Sequence, residues 1–352
     1  MDPMAAVAEQ FVSAAAEDFP TSPLYQALKP IVARQPAILE LLTHRRAGQQ
    51  APYLFFGAVH HLLLDGCQHP LREFFPSIVG DQARAPGAAG PALVDFCHAY
   101  RNDLAHQIRH RLVQTNAVRR VVGLRYALAT IAPTCDQPVH LIEVGASAGT
   151  LLHVDRYNYR IGGRSFGPPE APVTIDSRWL GTDPILDLDT ISQIASRIGV
   201  DLHPVDVTDP DQRAWLRALI WPENSADAEL LDAALTSLAD DPPRILAGDG
   251  IDVCPQLAGQ LPRGEPRVVF HAATRMHVPV ERRAAFDHAI DALGADGPLY
   301  HVWLEPSTAP HHLDVPDNRP VIRYHTSVRR RPEPLVQIAG HGQWLAPLET
   351  EA

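Results

Sequence analysis

One segment constrains this chain more than any other: Val139-His140-Leu141-Ile142-Glu143-Val144 followed by Gly145-Ala146-Ser147-Ala148-Gly149. The first six residues are a short apolar run of strand length. The next five are small, and two glycines let the backbone turn sharply. The chain changes character at this point. Before residue 132 the apolar positions recur at helical spacing, in Met4–Phe19, Tyr53–Leu64, Ala92–Leu112 and Asn116–Ile131, and nothing alternates with period two. Thr21-Ser22-Pro23 reads as a helix start and Asp65-Gly66 as a helix end. After residue 138 come β-rich runs at Val173–Ile175, Val200–Val207, Arg244–Ala247, Arg267–His271 and Leu299–Leu304. Between them lie helical patterns at Gln212–Ile220, Ala226–Leu238 and Glu281–Leu293. Such alternation predicts an α/β fold with a mostly parallel sheet. Val321–Val328 and Leu335–Ala339 predict a terminal antiparallel hairpin, with Arg329-Arg330-Arg331 in its solvated tip.

Length and charge narrow the function classes. At 352 residues the chain exceeds one ordinary core and calls for one large domain or two. Its net charge of −11 gives none of the broad positive footprint of a nucleic-acid binder. No apolar run reaches the roughly 18–20 residues of a membrane span, and Ala51–Leu64 is interrupted by His60-His61. Met1–Ala16 carries Asp2 and Glu9 and lacks the basic start of a signal peptide. Cys67, Cys97, Cys135 and Cys254 form no C-x-x-C pair, which predicts buried free thiols. The expectation is a cytoplasmic protein that acts on a small molecule and takes neither nucleic acid nor membrane as partner.

The glycine turn admits two readings. As E-x-G-x-S-x-G it is a nucleotide-type turn leading into a helix at Thr150, with Glu143 near the strand end to meet a polar or cationic group. It resembles the first motif of class I S-adenosylmethionine-dependent methyltransferases, with Ser147 in place of the middle glycine. As G-x-S-x-G it is the nucleophile elbow of α/β-hydrolases, with Ser147 attacking and Asp249 plus His271 or His341 completing the set. Context favours the first reading. A hydrolase elbow follows several earlier strands and an upstream oxyanion loop, whereas this turn follows the first strand of the sheet.

In open α/β sheets ligands sit beyond the carboxyl ends of the strands, so the polar residues there are the candidates. Gly248-Asp249-Gly250 resembles the methyltransferase segment whose aspartate meets adenine; the alternative is a plain Asp-Gly turn. For the ribose, Asp201 is favoured over Asp176, which lies 27 residues after Gly149, and over Asp206. His271 ends the fourth strand, where a neutral imidazole could take a proton from the acceptor; a histidine bonded to backbone is the plain alternative. Trp303 and Glu305 end the fifth strand. Asp155 and Arg156 lie near the mouth. Gln114-Thr115-Asn116 precedes a helix, as a cap or as a flap over the cofactor. His106 and His110 stand four apart, and His60-His61 and His311-His312 are pairs, yet none completes a metal site.

The runs VQTNAVRR, LIEVGASAG with DRYNYR, GVDLHPVDVTDPDQRAWLRALIWPE, PRILAGDG, VVFHAATR and HGQWL together resemble a bacterial family, domain of unknown function 2332, over most of the length. The second half is similar to class I methyltransferases, without an N-P-P-Y-type acceptor motif. The resemblance implies an all-helical domain over 1–132 and a Rossmann-like methyltransferase domain over 133–352, with 158–198 as an insertion or lid. It implies S-adenosylmethionine as cofactor, held by Glu143, Gly145, Ser147, Gly149, Asp201 and Asp249, with His271 as base. The alternatives are a serine hydrolase using Ser147 and a non-catalytic nucleotide-binding protein.

Overall fold

Proline sets the helix starts. Pro23–Val32, Pro36–Thr43, Ala51–Leu64, Gly90–Ala99 and Pro210–Ala218 each carry proline in the first two positions, where its missing N–H has no helical partner to lose. The structure, a computed structural model, describes residues 2–13, 19, 21–305, 321–326 and 333–348. It is a mixed α/β fold with a mostly parallel sheet, antiparallel strands towards the C-terminus and a helical N-terminal region. Its contacts divide the chain into two compact units, Met1–Thr115 with Thr208–Asp232, and Asn116–Val207 with Ala233–Ala352.

The first unit is helical around an aromatic core. Tyr25 stacks on Phe56 with ring centres 4.3 Å apart, Phe11 and Phe19 pack edge-on against Phe56, and Phe55 packs edge-on against Phe11. Ser22 caps its helix as the sequence suggests, accepting the Tyr25 N–H at 3.3 Å, and donates its hydroxyl to Glu223 at 2.6 Å. The single pattern over Ala92–Leu112 is two helices, Gly90–Ala99 and Arg101–His110, broken at Tyr100. Lys29, the chain's only lysine, is buried in this unit.

Among its described residues the second unit carries eleven strands: β1 Val139–Val144, β2 Asn158–Ile161, β3 Arg164–Phe166, β4 Thr174–Trp179, β5 Ile194–Asp201, β6 Arg244–Ala247, β7 Arg267–Ala272, β8 Leu299–Glu305, β9 Val321–Thr326, β10 Glu333–Ile338 and β11 Trp344–Ala346. They form one sheet in the order β3-β2-β4-β11-β10-β9-β8-β7-β1-β5-β6. Its parallel heart, β6-β5-β1-β7-β8, runs outward both ways from β1 and β7, the strand order of a doubly wound sheet with its switch point between those two. The expected terminal hairpin is present as antiparallel β9 and β10; its arginine tip lies outside the described residues.

Strand pleating sorts the side chains. Ile142, Val144, Ile198, Val200, Val269 and Leu299 face helices Gly250–Ala258 and Arg283–Ala292 and form the core with Cys254, Leu257, Phe286 and Ile290. Helix Val121–Ile131 covers the other face, where Gly123 lets it sit against Ile322 and Ile338.

Two expectations fail here. No α-helix follows the glycine turn: Thr150–His153 is one short 3-10 turn, and the chain then enters β2. Tyr157 donates its hydroxyl to the Thr150 carbonyl at 2.8 Å and Tyr159 donates to that of Val154 at 2.5 Å, side-chain bonds that tie the turn to the strand that follows it. Residues 158–179 instead form the β2–β3 hairpin and β4, joined to the sheet through β11. The run over Val200–Val207 is also displaced: β5 ends at Asp201, and residues beyond it turn back on the glycine loop.

Candidate functional site

The chain leaves β1 through alternating left-handed residues, Gly145 at φ +84°, Ser147 at φ +50° and Gly149 at φ +77°. A left-handed serine costs about 1 kcal/mol, so surrounding bonds must hold it. They do. The N–H groups of Gly145 and Ala146 donate to the Val200 carbonyl at 2.7 and 3.2 Å, and that of Gly149 to Ala146 at 2.7 Å. The Ser147 N–H donates to Asp201 Oδ2 at 2.7 Å, and the Ala148 N–H to Asn116 Oδ1 at 3.4 Å. Every amide from 145 to 149 is thus satisfied within the protein. The glycines are needed for packing too. A Cβ at Gly145 would lie 2.2 Å from Thr274 Oγ1, and one at Gly149 2.8 Å from Pro243 Cγ.

Three carboxylates lie at or near the carboxyl ends of β1, β5 and β6: Glu143, Asp201 and Asp249. Glu143 is buried, and its Oε2 has no hydrogen-bond partner among the described residues. Burial, then the charge of Asp201, raises its pKa well above the usual carboxylate range, while Arg120 opposes both. Arg120 donates through Nε to the Gly340 carbonyl at 2.8 Å; burial draws its pKa down to about 10, against Glu305 and Glu143. His341 stands near that guanidinium, and burial plus the arginine charge lower it to about 4. Asp201 accepts from Ser147 and, through Oδ1, from the His203 N–H at 2.8 Å. Asp249 caps its helix by accepting the Ile251 N–H at 2.9 Å and pairs with Arg282 at 3.0 Å.

His271 belongs to a different cluster. Its Nδ1 lies 2.7 Å from Glu305 Oε1, and the ring packs edge-on against Phe286. A carboxylate only accepts, so Nδ1 carries a proton and donates it to Glu305. Glu305 also accepts the N–H groups of Thr274 at 2.9 Å, Arg275 at 2.8 Å and Met276 at 3.2 Å. Burial would raise its pKa; the bond and charge of His271, with the Arg275 and Thr274 amides, outweigh that and bring it to about 2. Glu305 thereby fixes the loop after β7, where Ala273 takes a left-handed φ of +53° and Thr274 presses on Gly145.

The sequence candidates therefore fall into two groups. Register with β1 puts Glu143 and Asp201 on the sheet face that carries Arg120, and His271 with Glu305 on the face under helix Arg283–Ala292. Ser147 Oγ accepts from Asn116 Nδ2 at 3.0 Å. An amide cannot take a proton, so this contact supplies no base to the serine. Asp176 pairs with Arg160, Asp155 with Arg197 and Arg156 with Asp241, as side chains that brace the strands. Asp206 is exposed. Trp303 is buried beside His301. His60 bonds Ala218 and Ser77, and His106 stacks on His110. His311-His312 lies outside the described residues. Among the described residues no three His, Cys, Asp or Glu side chains gather for a metal, the four cysteines are free, and no helix is long and apolar enough to cross a membrane. In the sequence Asn116 reads as a cap or a flap, and Arg120, Ala273 and Thr274 carry no role. The signals in the sequence are the runs VQTNAVRR, which carries Asn116 and Arg120, and VVFHAATR, which carries Ala273 and Thr274.

Fold and site define an α/β protein with a doubly wound sheet and a polar, strained switch point. Within that class, the chain belongs to the family described as uncharacterized protein conserved in bacteria (DUF2332), whose model matches residues 8–346. No curated protein matches the chain.

Proposed function

We propose that the second unit binds S-adenosylmethionine at the carboxyl ends of β1, β5 and β6 and transfers its methyl group to a small molecule. One observation carries this reading. The amides of the glycine turn are all spent inside the protein, while Glu143 keeps a buried carboxyl oxygen without a partner among the described residues. A diphosphate needs free amides at such a turn. A ligand with an ammonium, a sulfonium and ribose hydroxyls instead needs acceptors, and carboxylates are what these strand ends offer. Glu143 would meet the methionine end beside the turn, with Asp201 at the ribose and Asp249 at the adenine.

The cofactor supplies an already activated methyl group, so the protein's part is binding, alignment and exclusion of water. Asp201 and Asn116 hold the turn in shape. His271 acts through Glu305 on the Thr274 loop, a positioning role, because its ring is fully buried. Calorimetric titration with S-adenosylmethionine, S-adenosylhomocysteine and NAD tests the reading. Micromolar binding of the first two alone supports it; binding of NAD, or of none, overturns it.

A second reading, acyl transfer by Ser147, has the left-handed serine of a G-x-S-x-G turn in its favour and the Asn116 amide against it. An alkyl fluorophosphonate adduct on Ser147 would establish it.

A further inference from the structure

At the opposite end of the sheet, near the start of β1, His140 sits between two polar partners. Its Nε2 lies 2.7 Å from Glu265 Oε2 and its Nδ1 lies 2.7 Å from Ser196 Oγ. The carboxylate only accepts, so Nε2 carries the proton and donates. In the neutral ring Nδ1 then holds the lone pair and accepts the Ser196 O–H. Register sets these groups in one row: His140 pairs with Ser196 of β5 on one side and with Arg267 of β7 on the other. His140 and Arg267 are buried, Ser196 is half-buried, and the Glu265 side chain is 46% exposed. Arg267 donates to the carbonyls of Glu265 and Pro262, and its Nε has no partner among the described residues. Sheet packing alone does not call for such a row. Apolar side chains fill a buried face without the cost of desolvating an imidazole and a guanidinium.

We infer that Ser196 is an activated nucleophile, and that this end of the sheet holds a second site that hydrolyses small carboxylic esters. The row has the parts acyl transfer requires: a hydroxyl on a base, and a base oriented by an acid. Ser196 Oγ bonds to the ester carbonyl carbon as its proton passes to His140 Nδ1. The adduct collapses, the bond to the alcohol oxygen breaks, and that oxygen takes the proton from Nδ1. Water then adds to the acyl carbon and gives a proton to Nδ1, and the bond to Oγ breaks as Ser196 recovers that proton. One ester and one water become one acid and one alcohol. Ser196 lies five residues before Asp201 on the same strand, roughly 17 Å along it, so the site is separate from the glycine turn.

The test uses the full chain and an alkyl fluorophosphonate, with the adduct mapped by mass spectrometry after digestion. The expected adduct is on Ser196 and is lost in Ser196→Ala. Labelling should slow about a hundredfold in His140→Ala and about tenfold in Glu265→Gln, with p-nitrophenyl acetate hydrolysis falling in parallel. Glu265→Gln changes a half-exposed side chain and keeps the fold, so its rate is informative even where the buried histidine variant unfolds. No adduct on Ser196, an adduct on Ser147 instead, or an unchanged rate in Glu265→Gln overturns the inference. None of these readouts involves S-adenosylmethionine, so failure here is separate from failure of the methyl-transfer reading.

Discussion

Asp201 Oδ2 accepts the backbone N–H of Ser147 at 2.7 Å, from the end of the neighbouring strand. The acid expected to meet a ribose is thus also the brace of the turn after β1, and Asn116 braces the same residue through its hydroxyl. Loss of a buried acceptor leaves a donor unpaired and costs about 1–3 kcal/mol. Asp201→Ala should therefore lower the melting temperature, speed hydrogen exchange at the Ser147 amide and weaken S-adenosylmethionine binding at least tenfold. If exchange at Ser147 stays at the wild-type rate, the carboxylate does not hold the turn.

Gly145 and Thr274 make a paired prediction. Gly145→Ala forces an alanine to φ +84° and drives its Cβ into Thr274. The backbone term is about 1 kcal/mol, and the overlap adds to it. Thr274→Ala removes the two nearest atoms, so the double variant should recover the overlap part and keep the backbone part. Thermal or urea unfolding of the four proteins measures this. Strict additivity of the two single changes would show that the contact does not set the cost.

Much of the parallel sheet is legible in the sequence. β1 and β6 have the bounds their apolar runs suggest, because a buried parallel strand needs little beyond hydrophobicity and length. The missing helix after Gly149 is not legible there. Tyr157 and Tyr159 bond the carbonyls of Thr150 and Val154 where the chain instead turns into β2, and nothing in their spacing announces those bonds. β11 has three residues and pairs with β4, more than 160 positions away, so no local pattern marks it. The candidate acids and His271 stand out because polar residues at the ends of apolar runs are conspicuous. Their division between two faces depends on register, which composition does not carry.

Glu143 should cost stability at high pH. Its folded pKa is raised by burial and by Asp201, so its contribution is fully present below the ordinary carboxylate range and is lost as pH rises through the folded value. Glu143→Gln removes that dependence. The stability difference, variant minus wild type, should grow in the variant's favour as pH increases. Urea unfolding across a pH series checks the sign, and a difference that is flat with pH would mean Glu143 titrates alike in both states.

Glu305 has the opposite sign. Its folded pKa falls from 4.5 to about 2 because His271 and the Arg275 and Thr274 amides favour the carboxylate more than burial opposes it. A shift of that size corresponds to roughly 3 kcal/mol for a buried group. The contribution is present above about pH 4.5 and is lost as pH falls towards 2. Glu305→Gln should therefore be destabilised by a nearly constant amount at neutral pH, and the gap to wild type should close under acid. The same variant frees the amides of residues 274 to 276, so their hydrogen exchange should rise while the helical unit's exchange does not. A gap that persists at pH 2 would mean the side chain acts by shape rather than charge. Normal exchange in that loop would mean Glu305 does not hold Thr274 against Gly145.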